Sequence, residues 1–292
     1  MTTLTTIDTT NYEMMAQMMG VNPQQKAKAS TLPRLRIWNQ GVKTKDGKRS
    51  VEVVPAGFYR LEVPDQAMYF AETVTIRPYM QRYMYKRYDA NTNSFSKTLM
   101  HENLDVDLKD TTGGFNCGKP AGYIKDFNAL SDDMKETIKA IRRVRVILGE
   151  IEMNNPIDES GESVSIDTMP FIWEIDNKTA FKSMGEPFVQ MGRQRKLPIE
   201  HKIKLDTSEQ ELQTGGAFFL PEPTLDLTQK FEINDADQQR FSDFLEWIKS
   251  YNEYVMGAWE EKQSQRSSEA ENALMATVAD DVFIDVEDDA AA

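Results

Sequence analysis

The chemistry that stands out first lies in one stretch, Arg77–Tyr88 (RPYMQRYMYKRY), in which aromatic and basic residues are interleaved. In a strand, successive side chains point to opposite faces, so Tyr79, Tyr83 and Tyr85 share one face. Tyrosine rings offer flat surfaces for stacking unpaired bases, and Arg or Lys neutralises phosphates. The pattern favours nucleic-acid binding over the alternative that the rings pack into a core. The residues assigned to binding in this stretch are Arg77, Tyr79, Arg82, Tyr83, Tyr85, Lys86 and Arg87.

Basic residues also cluster elsewhere in the chain. One cluster, GRQRK, ends at Lys196 and is followed by Lys202, and another comprises Arg142, Arg143 and Arg145. A glycine-rich loop holds Lys119, but its glycine spacing and Pro120 do not match a phosphate-binding loop of the Walker type. For each cluster the alternative is a solvated face, and the sequence leaves open whether they line one groove. The residues assigned to binding here are Lys119, Arg193, Arg195, Lys196 and Lys202.

Groups that would support catalysis are few. The chain contains one cysteine, Cys117, and two histidines, His101 and His201. These are too few for a convincing general-base constellation or a structural zinc site. Asp105 and Asp107 flank Val106 without forming a metal-binding pattern. The sequence therefore predicts a protein that is not an enzyme and has no catalytic residues, metal or cofactor.

The C-terminal segment combines acids with apolar side chains. Residues 267–292 hold eight acids and no Lys or Arg, and removing these charges from the net charge of −13 leaves −5 for the rest. Apolar side chains among acids are typical of a peptide that docks on a partner protein. A solubility tail and a nucleic-acid mimic lying in the chain's own basic groove are the alternatives. The residues assigned to partner binding are Asp280, Asp281, Phe283, Ile284, Asp285, Glu287, Asp288 and Asp289.

Composition limits the class of protein. A length of 292 residues with 40% hydrophobic and 28% charged residues is typical of a globular chain. The sequence has no apolar run long enough to span a bilayer, and its first residues do not resemble a secretory signal. A single cysteine fits a reducing compartment. We expect a cytoplasmic protein, in the host cytoplasm if viral, with no membrane contact.

Alternation with a period of two predicts about ten short strands. A helix capped by Ser131 and ending near Ile141, a short helix over 181–191 and a long helix over 234–262 interrupt them. This order predicts a mostly β (α+β) fold with an antiparallel barrel, added helices and a long C-terminal helix. Residues 1–31 are expected to form a flexible arm, 32–262 the binding body, and 263–292 a disordered linker and acidic tail. The strands include Leu32–Trp38, Phe58–Val63, Tyr69–Ile76, Tyr79–Tyr88, Ser94–Met100, Arg142–Met153, Met169–Ile175, Pro198–Leu205 and Ala217–Leu220.

This organisation resembles that of bacteriophage-type single-stranded DNA-binding proteins. The resemblance is carried by Arg77–Tyr88, Leu197–Asp206, Gly215–Leu227 and the acidic tail Asp280–Asp289. It implies an oligonucleotide-binding (OB) barrel, single-stranded DNA or RNA as ligand, and replication or recombination proteins as partners of the tail, with homo-oligomers as a further possibility. The alternative is a viral structural or assembly protein whose strands make subunit contacts and whose long helix dimerises.

Overall fold

The structure, a computed structural model, describes residues 32–46, 49–90, 93–120, 124–212 and 215–281. The predicted flexible arm, residues 1–31, lies outside the described residues, as do residues 282–292 of the predicted tail. Within the described part the protein is mostly β with a long C-terminal helix, as the sequence predicts.

Nine of the strands in the described residues form one sheet, in the order β11-β10-β6-β8-β9-β1-β4-β5, with β7 beside β6. All neighbours are antiparallel except β1 and β9, which are parallel. A separate hairpin pairs β2 with β3. The strands are β1 (Arg34–Ile37), β2 (Val42–Asp46), β3 (Arg49–Val54), β4 (Tyr59–Glu62), β5 (Met68–Ala71), β6 (Thr73–Asp89), β7 (Ser94–Lys97), β8 (Ile141–Asn154), β9 (Met169–Ile175), β10 (Ile203–Glu211) and β11 (Ala217–Leu225).

The central strand, β6, joins two strands that the sequence analysis separates. Its pairing with β8 shifts between Pro78 and Met80, so the extra residue of the bulge lies on β6. Gly149 faces this bulge, where a side-chain Cβ would come within 2.3 Å of the Arg77 carbonyl oxygen. The glycine thus makes room for the bulge on the neighbouring strand.

The helices are α1 (Asp132–Ala140), α2 (Lys178–Ser183), α3 (Glu186–Arg193) and α4 (Asp235–Asp281), and a 3₁₀ turn spans Pro198–Glu200. The side chain of Ser131 accepts a hydrogen bond from the Met134 amide, which confirms the predicted cap of α1. The single helix predicted over 181–191 is two helices, α2 and α3. The strand predicted from Pro198 begins only at Ile203 because the 3₁₀ turn occupies its first residues.

Apolar residues cover both faces of the sheet. On one face, Ile147, Trp173 and other strand residues pack with Met184, which follows α2, and with Met191 of α3. On the opposite face, Met80, Val146 and Ile172 pack with Phe244 and other residues of α4. We call the second side the α4 face.

The sheet curls without closing. Tyr59 of β4 donates a hydrogen bond to the Asp206 carbonyl of β10 at 2.9 Å, and the Thr207 hydroxyl donates to the Gly57 carbonyl at 3.0 Å. Side chains thus connect the two ends of the sheet, but the backbone ladder between them stays open within the described residues. The predicted closed barrel is therefore not confirmed.

The predicted disordered linker is wrong for residues 263–281, because α4 continues to Asp281. Contacts with the body extend past residue 262: Gln263 donates to the Gly113 carbonyl, and Arg266 donates to the carbonyls of Gly113 and Thr112. Glu, Ala and Gln are good helix formers, so the linker composition is compatible with helix once its start is packed. None of the helices in the described part of the chain is both long and apolar enough to cross a membrane.

Candidate nucleic-acid interface

Basic side chains meet on the α4 face at the end of β6. Lys86 lies directly opposite Lys97 of β7 on one side and Arg142 of β8 on the other. The α4 helix contacts Met84 through the Tyr251 hydroxyl, and its later contacts pass to Met100 and Gly114. Like charges opposite each other on neighbouring strands destabilise a sheet. Three cations in a row across β7, β6 and β8 are therefore a feature that the fold alone does not favour.

Two aromatic residues lie next to this row. Tyr88 of β6 and Phe95 of β7 are cross-strand partners, with ring centroids 5.1 Å apart. They are 47% and 51% exposed, and the Lys86 ammonium lies 4.5 Å from the centre of the Phe95 ring. The Tyr88 hydroxyl donates to the Asn93 side chain at 2.7 Å, which holds the ring in place. We call Tyr88 and Phe95 the aromatic pair.

A groove continues from Lys86 across the sheet. Strands β1 and β9 pair only at Arg34 and Ile172, and beyond this point they leave a gap of about 280 Å³. Residues of β1, β9 and β11, together with Lys86, line the gap, and Phe218 and Phe219 contribute aromatic surface. Because Leu35 packs into the opposite core, Arg34 and Arg36 point to the α4 face.

The groove and the row of cations form one charged surface, which we call the basic face: Arg34, Arg36, Lys86, Lys97 and Arg142. Three carboxylates balance it in part. Lys86 lies 3.4 Å from Glu174, Arg142 lies 3.6 Å from Asp176, and Arg36 lies 3.8 Å from Glu62. Glu62 also pairs with Arg60. Five cations against three carboxylates leave a local positive charge on a chain that is acidic overall.

Two of the predicted stacking tyrosines are in the core. Tyr79 is 4% exposed and donates to Asp237 at 2.6 Å, and Tyr85 is 3% exposed and packs with Leu108 and Cys117. Burial raises the pKa of both phenols. The assignment of Tyr79 and Tyr85 to base stacking is therefore wrong, because α4 covers the Tyr79 ring and the loop over 104–118 covers the Tyr85 ring.

Tyr83 is half-buried on the face opposite α4. Its hydroxyl accepts a hydrogen bond from Arg145 at 3.0 Å, and the Arg145 guanidinium lies 5.1 Å from its ring and 4.7 Å from Phe181. Its role in stacking stays a prediction, but Arg145 already covers part of the ring.

Among the predicted cations of β6, Arg77 serves a structural role. Its guanidinium donates twice to Asp237, at 2.8 and 3.0 Å, and once to the Ile199 carbonyl. The assignment of Arg77 to phosphate binding is wrong because its donors are already occupied in a buried cluster. Arg82 lies 3.9 Å from Glu102, and Arg87 lines a depression with Asp133 and Glu136 of α1, so of these residues only Lys86 belongs to the basic face.

The remaining predicted binding residues lie apart from the basic face. Arg193 ends α3, which packs on the side opposite α4, and Arg195 is exposed just beyond it. Lys196 donates to the Leu227 carbonyl at 2.7 Å, and Lys202 lies 3.1 Å from Glu152. Lys119 donates to the Pro120 carbonyl and lies 5.6 Å from the Tyr85 ring. The basic clusters therefore do not line one groove, since they occupy both sides of the sheet.

The predicted partner-binding residues are described only in part. Asp280 and Asp281 are the last residues of α4. The others, Phe283, Ile284, Asp285, Glu287, Asp288 and Asp289, lie outside the described residues.

Sequence reasoning did not assign Arg34, Arg36, Lys97, Arg142, Tyr88 or Phe95 to binding. One available signal was the alternation in LPRLRIW, where the apolar positions point inward and the arginines outward. The other signal was the alternation along β6, which decides the residues that share one face of the strand. Lys86 and Tyr88 follow Met80 and Met84 on the same face of β6, so they continue a helix-covered row beyond the helix.

Groups for covalent chemistry are poorly placed. Cys117 is buried, and burial with the nearby Asp110 raises its thiol pKa to about 12, which disfavours the reactive thiolate. His201 is buried, with its Nδ1 2.8 Å from the Gln229 carbonyl oxygen. The described residues contain no group of three or more His, Cys, Asp or Glu side chains arranged to hold a metal ion.

Comparison with protein-family models, with curated proteins and with solved structures gives no match.

Proposed function

We propose that this chain binds single-stranded nucleic acid, without sequence preference, along the basic face. The observation that carries the proposal is the row Lys97, Lys86 and Arg142, which places like charges opposite each other beside an exposed aromatic pair. A phosphate backbone relieves repulsion in such a row, and exposed rings stack on bases that are unpaired. Stacking on rings requires open base faces, so the proposal is for single strands and not for duplex.

The test is a titration of labelled oligo-dT and of a matched duplex, followed by fluorescence anisotropy. If all five cations of the basic face contact phosphates, the slope of log K against log salt is about −3.5. Affinity for oligo-dT then falls about a hundredfold between about 50 and about 200 mM salt. Affinity for duplex equal to that for oligo-dT, or binding that salt does not change, contradicts the proposal.

The proposal extends to an OB-like barrel and to the phage-type DNA replication and recombination class that the sequence resembles. It is supported by a curled sheet whose two ends are connected by the Tyr59 and Thr207 hydrogen bonds. An experimental structure in which a ladder closes between β11 or β10 and the β1–β4 side would establish the barrel. A structure in which the sheet stays open would leave a curled sheet as the binding element.

The acidic tail is proposed to recruit replication or recombination proteins. The helix α4 runs about 45 Å from Tyr251, beside the basic face, to Asp281. Eleven further residues span at most about 40 Å when fully extended, so the tail of the same molecule does not return easily to the basic face. Docking on another protein is therefore favoured over competition within one chain. Loss of partner capture after replacing Phe283 and Ile284 by Ser, with oligo-dT affinity unchanged, would support this role, and unchanged capture would contradict it.

A viral structural or assembly protein is the second candidate. It is favoured by three exposed apolar side chains along α4, those of Phe241, Leu245 and Tyr254. Such residues on a helix suit contact with another subunit. Light scattering and electron microscopy without nucleic acid test it: regular particles would favour assembly, and a small, uniform species would favour the first proposal.

A further inference from the structure

Glu174 occupies an unusual position within the basic face. It lies on β9 opposite Val146, on the α4 face, and its carboxylate is 3.4 Å from the Lys86 ammonium. Its side chain is only about one-fifth exposed. Burial acts to raise the pKa of Glu174, but the charges of Lys97, Lys86 and Arg34 outweigh it and hold the pKa below its usual range. One ionised carboxylate thus lies among at least three cations.

The two other carboxylates of the basic face differ from Glu174 in their surroundings. Asp176 is more exposed and pairs with Arg142, whose side chain is 62% exposed, so water screens that pair. Glu62 contacts Arg60 and Arg36 at the outer side of β1. Of these three carboxylates, Glu174 and Asp176 line the groove, and Glu174 is the one that contacts Lys86, which belongs to both the groove and the row of cations.

We propose that Glu174 is an internal counter-ion. In the free protein its carboxylate occupies the position on the basic face that one backbone phosphate takes in the complex. This inference rests on the proposed function. In the free protein Glu174 offsets the repulsion among Lys86, Lys97 and Arg34. When a single strand binds, a phosphate takes over these contacts, so Glu174 weakens the complex and keeps binding reversible.

The test compares two substitutions that remove one negative charge each. Glu174→Gln keeps the size of the side chain and frees the surrounding cations, whereas Asp176→Asn is the matched control at a solvent-screened pair. Glu174→Gln is expected to raise affinity for oligo-dT about fivefold at about 0.1 M salt and to steepen the salt slope by up to about 0.7, because the net positive charge of the basic face rises by one. Asp176→Asn is expected to change affinity less than about twofold because its pair is exposed.

Stability supplies a second readout. Glu174→Gln should lower the midpoint of urea unfolding in the free protein, because the cations lose their counter-ion. Added oligo-dT should then stabilise this variant more than the wild type, since ligand binding stabilises in proportion to affinity. If Glu174→Gln does not fold, Glu174→Asp retains the charge but moves it away from Lys86, and a gain of about twofold in affinity is expected from the weaker contact.

The outcomes separate this inference from the function on which it rests. Wild-type protein that does not bind oligo-dT overturns the proposed function and this role of Glu174 together. Wild-type protein that binds, with a Glu174→Gln variant that gains no more than Asp176→Asn, overturns only the counter-ion role. Weaker binding by Glu174→Gln would instead show that Glu174 positions the lysines and is not displaced by phosphate.

Discussion

The two ends of β6 have similar residues and opposite surroundings. At the first end, Arg77 and Tyr79 lie against the start of α4, where Asp237 accepts hydrogen bonds from both. At the second end, Lys86 and Tyr88 lie beyond the helix, opposite Lys97 and Phe95. Asp237 joins the first pair to α4, so that pair serves folding, whereas the second pair lies among further cations and is the one that we propose contacts a ligand.

The helix cap explains why the first end is closed. Asn234 and Asp237 each accept a hydrogen bond from the other's backbone amide, at 3.0 Å, which fixes the first turn of α4. Arg77 and Tyr79 then bind the same carboxylate, so one side chain joins the helix to the central strand. No comparable acid from α4 contacts Lys86 in the part of the chain that the structure describes.

The largest expected effect lies at the first end. Replacing Asp237 by Ala removes the partner of Arg77 and Tyr79 and should lower the free energy of unfolding by about 3–5 kcal/mol. Urea denaturation measures it. Asp235→Ala, at an exposed position of the same turn, should cost only about 0.3 kcal/mol. Equal losses for the two variants would show that Asp237 does not anchor the helix.

Two tyrosines of β6 allow the core to be compared with the exposed second end of the strand: Tyr85 is buried and Tyr88 is exposed. Tyr88→Ala should reduce oligo-dT affinity by about 1–3 kcal/mol, the usual value for one stacked base, with little change in stability. Tyr85→Ala should lower the free energy of unfolding by about 3 kcal/mol, as buried aromatic truncations do, without changing the affinity of the folded fraction. Tyr88→Phe is the control that retains the ring. The comparison fails if Tyr85→Ala affects affinity more than Tyr88→Ala does.

Acid pH should weaken the anchor that Asp237 provides at the first end. Burial acts to raise the pKa of Asp237, but hydrogen bonds from Tyr79, the Asn234 amide and Arg77 outweigh it and lower the pKa. A pKa that is lower in the folded protein means stability that is complete above the unfolded value of about 3.9 and is lost as pH falls below it. The free energy of unfolding, followed from about pH 6 to about pH 3, should therefore fall less steeply for Asp237→Asn than for the wild type. Parallel profiles would argue against this contribution.

The smallest expected effect concerns single cations on the two sides of the sheet. Arg142→Gln should reduce the salt slope of oligo-dT binding by about 0.7, because one phosphate contact is lost from the basic face. Arg193→Gln, which removes the same charge from the opposite side, should leave the slope unchanged. Anisotropy titrations at several salt concentrations measure both. A larger change for Arg193→Gln would move the interface to the α3 side.

The sequence by itself determined the local elements. Period-two alternation located most strands, including Met169–Ile175 at its observed bounds, and Ser131 marked the start of α1. It also indicated the mostly β class and the long C-terminal helix. These features depend on local patterns, namely alternation, helix caps and turns. Neighbouring residues form such patterns, so they can be read directly from the sequence.

Only the tertiary structure decided which of the alternating residues reach a ligand. Tyr85 and Tyr88 have similar neighbours in sequence, but the loop over 104–118 covers the Tyr85 ring, whereas Tyr88 lies beside Phe95 and stays 47% exposed. Likewise Arg77 and Lys86 differ because Asp237, 160 residues from Arg77, meets only the first. The basic face itself brings β1 and β8, which are far apart in the chain, to the hairpin of β6 and β7. Long-range pairing sets such neighbours, and no local pattern encodes it.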